Sequence, residues 1–93
     1  MKVILIEEEN HGFIGCAKDY KSSIHFLIKD DWLTDSTEVW DEEKISPDNP
    51  WSPITEVLDK NWKGIIENRW DISDFNNFFS GIFLLHEIKV YED

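Results

Sequence analysis

The chain has 93 residues, 41% of them hydrophobic, and 20 acidic against 9 basic side chains give a formal net charge of −11. That length holds one hydrophobic core, hence a single domain spanning 1–93, and 5 Trp with 6 Phe supply enough area to exclude disorder. The charge opposes direct binding to a phosphate backbone, where cations replace condensed counterions, and to an anionic membrane surface.

Residues 2–8 read as a strand, a β-branched run that closes on Glu7, Glu8 and Glu9. Asn10-His11-Gly12 is a turn signal, because Asn and Gly tolerate positive φ. Residues 13–17 then return as the second strand of a hairpin. Asp19 is placed to cap a helix over about 20–33, with Tyr20, Ile24, Leu27 and Ile28 on one face and Trp32 and Leu33 closing it. Residues 37–40 suit a short strand, and 41–52 form a loop punctuated by Pro47 and Pro50.

Ser52-Pro53 marks the next helix start, with Ser as cap and Pro at the first helical position. Ile54, Val57, Leu58, Trp62, Ile65 and Ile66 follow at helical period, with Gly64, a residue that favours breaks, inside the stripe. Asp71 opens a third helical piece to about Ser80, carrying Ile72, Phe75, Phe78 and Phe79, and Gly81 fits its C-terminal cap. Residues 82–91 give the clearest strand. Ile82, Leu84, His86, Ile88 and Val90 share one face, and Phe83, Leu85 and Tyr91 the other. Both faces are largely apolar, which predicts a central place in the sheet. The expected architecture is α+β, order ββαβααβ, with an antiparallel or mixed four-stranded sheet covered by helices on one face.

Cys16 is the single cysteine, so no disulfide forms within the chain. The apolar run after Met1 stops at Glu7, too short for a signal peptide, and no stretch approaches the ~20 apolar residues of a membrane span. The cytoplasm is the expected location, with no membrane partner.

Few side chains suggest chemistry. His11 near Cys16 resembles a thiol–imidazole pair, but that reaction needs a lowered thiol pKa and a group orienting the ring. A small thiol in the core or half-buried accounts for Cys16 as well. Gly12-Phe13-Ile14-Gly15 lacks the spacing of a phosphate-binding loop and instead suggests turn geometry and close approach of the first helix. The carboxylates of 7–9 with His11, and of 41–43 with Asp48, lack the ligand pattern of a calcium or zinc site. His25 and His86 read as structural. No catalytic residue, metal or cofactor is therefore assigned.

The loop after 40 carries the strongest binding signal. Asp41, Glu42, Glu43 and Asp48 flank Trp40 and Trp51, and nearby prolines restrict the backbone. Trp is enriched at interface hot spots, and carboxylates steer a basic partner. These residues form the predicted partner-binding surface, with Trp51 serving either as an interface anchor or as a lid over the core.

His11-Gly-Phe-Ile-Gly-Cys-Ala, then Ile24-His-Phe-Leu-Ile and Trp32-Leu33, resembles small acidic proteins encoded by phages and prophages of Gram-positive bacteria; Asp74-Phe-Asn-Asn-Phe-Phe adds to the likeness. The resemblance implies a class that binds and inhibits host factors, some members by mimicking DNA. The resulting expectation is a non-catalytic module for a protein with a basic surface, with no direct nucleic-acid contact and a homodimer left open. The alternative is a small-ligand binding or sequestering protein whose Trp40 and Trp51 line a pocket.

Overall fold

The computed structural model describes residues 1–34 and 62–91. Within them, β1 (Lys2–Glu8), β2 (Gly12–Ala17), α1 (Tyr20–Lys29), α2 (Trp62–Asn68), α3 (Ile72–Phe78) and β3 (Phe83–Lys89) follow one another. The three strands are antiparallel and ordered β2-β1-β3, so the fold is α+β.

The expectation that the last strand is central is corrected: among the described residues β1 holds the middle. The physical reason lies in the side chain of Asn76. Its amide donates to the Leu85 carbonyl at 3.0 Å and its oxygen accepts from the Leu85 N–H at 2.8 Å, filling the edge of β3 that faces away from β1. Apolar residues on both faces of β3 reported coverage incorrectly: Leu84 and Ile88 are 40% and 41% exposed. The strand predicted at 37–40 and the helix predicted from 52 to 61 lie outside the described residues.

The core lies between one face of the sheet and the helices. Ile4, Ile6, Phe83 and Leu85 point inward and meet Ile24 and Leu27 of α1, Ile65 and Ile66 of α2, and Phe75 of α3. Asp19 caps α1 by accepting the Ser22 N–H at 2.8 Å. That helix ends at Lys29, short of the predicted 33, because Asp31 turns to φ 60° and the Trp32 and Leu33 N–H groups both return to the Leu27 carbonyl. Asp71 and Asp74 cap α3 reciprocally, each side chain accepting the other's backbone N–H. Gly81, at φ 84°, then reverses the chain into β3, as its position after the helix predicts.

Two further ties fix α1 against α2. The Tyr20 hydroxyl donates to the Ile66 carbonyl at 2.6 Å. Burial, then the carboxylates of Asp74 and Asp71, push that phenol well above its ordinary pKa, so it stays a donor. On the surface Glu67 receives His25 at 2.5 Å and Lys21 at 3.6 Å. Gly15 shows the close approach expected of it: a Cβ there would stand 2.8 Å from Cζ of Phe26 on α1.

Candidate functional site

Trp40, Asp41, Glu42, Glu43, Asp48 and Trp51, the residues that the sequence selects for partner binding, all lie outside the described residues. The described part offers a different candidate surface, the face of the sheet turned away from the helices.

Strand alternation builds this face. On β1, Ile4, Ile6 and Glu8 are buried inward, which leaves Val3, Leu5 and Glu7 on the other side. Register places Phe13 and Leu84 beside Glu7, Cys16 and His86 beside Leu5, and Ile88 beside Val3. An irregularity in the β1–β2 register falls at Ile14, which packs toward the core and lets Phe13 and Cys16 share the outer side. Phe13 is 63% exposed and stands edge-on to His86, with ring centroids 5.6 Å apart. His86 Nε2 lies 2.8 Å from Glu7 Oε1, a link between the two strands at the centre of the face.

One end of the face is acidic. Glu7 and Glu9 line a groove of about 350 Å³ with Asn76, Ser80, Ile82 and Leu84. The Glu9 N–H donates to the Ile82 carbonyl at 2.9 Å, which joins the end of β1 to the turn before β3. Glu7 and Leu84 belong both to the groove and to the open face, so acidic and apolar surface are continuous. At the opposite end Lys2 meets Glu87 at 3.2 Å, opposite Lys89 in the register.

Cys16 is exposed, which corrects its expected core or half-buried place; the register irregularity at Ile14 turns it outward. His11 hydrogen-bonds Glu8 and sets its ring edge-on to Trp32 at 5.2 Å. That hydrogen bond holds the Glu8 carboxyl below its usual range, against the burial that raises it. Across β1, Leu5 stands between Cys16 and His86, so two strand spacings, about 10 Å, separate the thiol's strand from the imidazole's. Glu7 and Glu8 leave β1 on opposite faces, which divides the acidic run that suggested metal binding. Among the described residues, no group of three His, Cys, Asp or Glu side chains has metal-site geometry, and no helix is long and apolar enough to cross a membrane.

Comparison with protein-family models, with curated proteins and with solved structures gives no match. Leu84, Ile88 and Phe13 escaped selection as surface residues because an apolar strand residue ordinarily signals burial. A usable signal was present in β1, where Val3, Ile4, Leu5 and Ile6 are apolar on both sides while the predicted helices cover one face only.

Proposed function

We propose that this chain is a non-catalytic, cytoplasmic module that binds a protein with a basic surface, as an inhibitor of the phage type that occupies a host or nucleic-acid-handling factor in place of DNA. The carrying observation is a net charge of −11 combined with an acidic groove that adjoins the exposed apolar side chains Phe13, Leu84 and Ile88. Charge draws in and orients a basic partner, and desolvated apolar contact then holds it. The two strand spacings between Cys16 and His86 argue against those two as a thiol–imidazole pair.

Capture from the source cell at two salt concentrations tests the reading. A single basic protein should be retained at low salt, lost at high salt, and displaced by duplex DNA if its DNA-binding surface is the one occupied. Retention that is indifferent to salt, or a partner lacking a basic surface, overturns the proposal.

A further inference from the structure

We infer that the open face of the sheet is the docking surface for an amphipathic, basic helix of the partner, with its apolar side on Leu5, Phe13, Leu84 and Ile88 and its lysines or arginines over Glu7 and Glu9. The inference rests on the protein-binding reading and adds where the partner sits and what it presents.

Dimensions favour a helix. Three strands at about 4.8 Å spacing make a platform about 10–14 Å across, and a helix with its side chains is about 10–12 Å wide. The inner face of the same sheet is already closed in this way by the protein's own helices, and a helix on the outer face completes three layers. A strand added at β3 fits less well. At Leu85 the free edge of β3 is already occupied by Asn76, which satisfies both backbone groups that an incoming strand needs.

Charge decides the chemistry of that helix and argues against a second copy of this chain. Each copy carries −11, so self-association concentrates like charge around a small apolar contact. The acidic end of the face has Glu9, whose carboxylate has no ion-pair partner among the described residues. Glu7 is shared with His86, whereas Lys2 at the far end already meets Glu87. The cationic turn of the partner therefore lies at the Glu7–Glu9 end, and this fixes the direction of docking.

A synthetic amphipathic Leu/Lys helix of about 15 residues, long enough for a strand-length platform at 1.5 Å rise per residue, is the probe, and its Leu/Glu counterpart is the control. Amide shift mapping on the full chain should move Leu5, Phe13, Cys16, Leu84 and Ile88 with the first peptide and none of them with the second. Leu84→Ser with Ile88→Ser should weaken binding by about tenfold or more, and Glu7→Gln with Glu9→Gln several-fold. Phe13→Ser, at the most exposed of these positions, gives an independent variant should the double serine variant fail to fold. Shifts confined to the helical side, binding unchanged in the face variants, or a concentration-dependent dimer that buries this face overturns the inference. If the face variants bind normally while salt-sensitive capture of the basic protein persists, this surface is wrong and the protein-binding reading stands. If capture fails as well, both fall.

Discussion

The two faces of the sheet are built from the same kinds of residue and have opposite fates. Inward, Ile4, Ile6, Phe83 and Leu85 are each 4% exposed or less; outward, Leu84 and Ile88 are about ten times more open. Composition does not separate the two sets, since neighbouring residues of one strand supply both. What separates them is the helices: α1 packs on β1 and β2, α3 packs on β3, and both lie on the same side. An apolar strand face therefore states a demand for cover, and the chain's described helices meet that demand once.

The contrast breaks most visibly in stability. Phe75→Ala, which empties the layer under Phe83 and Phe79, should cost about 3–5 kcal/mol in urea unfolding. Leu84→Ala on the outer face should cost about 1 kcal/mol or less in the same experiment. Equal losses would mean that the outer face is covered in solution.

Gly15→Ala probes the same boundary from the backbone. The added methyl meets Phe26, so a loss of about 1–3 kcal/mol is expected, and Phe26→Leu in the same chain should recover part of it. No recovery would place the strain elsewhere than at the packing of α1 on β2.

Asn76→Leu keeps the side chain's approximate volume and removes both bonds to Leu85. A loss of about 1–3 kcal/mol follows from leaving the backbone pair unsatisfied. Sedimentation should also show concentration-dependent association, because an unguarded edge strand offers itself to other chains. A monomeric variant of normal stability would show that the amide bonds do not guard this edge.

The smallest effect is in acid. The Ser22 backbone holds the Asp19 carboxyl below its ordinary value of 3.8, and His11 holds Glu8 below 4.5. Both stabilise the fold fully above those unfolded-state values, and the contribution disappears as pH falls through the lower folded-state values. The melting temperature should therefore fall on acidification below about pH 4.5. Asp19→Asn with Glu8→Gln should flatten that slope; an unchanged slope would assign the acid sensitivity to other groups.

Much of the fold was legible because local chemistry settled it. Asp19 and Asp71 announce helix starts through short side chains that reach backbone N–H groups, and Gly81 announces the reversal into β3. The inward stripes at Ile24 and Leu27, and at Phe75 and Phe79, follow from helical period alone. The end of α1 was missed because Asp31 adopts a positive φ that its residue type only weakly signals. Among the described residues β3 lies at the sheet edge for a nonlocal reason: Asn76 fills its outer side at Leu85, a bond that no strand pattern encodes. Of the candidate site, the acidic character was legible and the exposed apolar face was not. The aromatic, acidic loop that the sequence selected around Trp51 lies outside the described residues.

The bond between Glu7 and His86 joins positions 79 residues apart in the chain. The central strand is thus synthesised well before one of its two neighbours. β1 and β2 close a short loop and can pair early, whereas β1 and β3 must close a long one. Until Phe83 and Leu85 arrive, Ile4 and Ile6 lack one wall of their core. Folding of the finished sheet is therefore expected to follow synthesis of β3, and a chain halted before Phe83 should expose its nascent hairpin to chaperones and proteases.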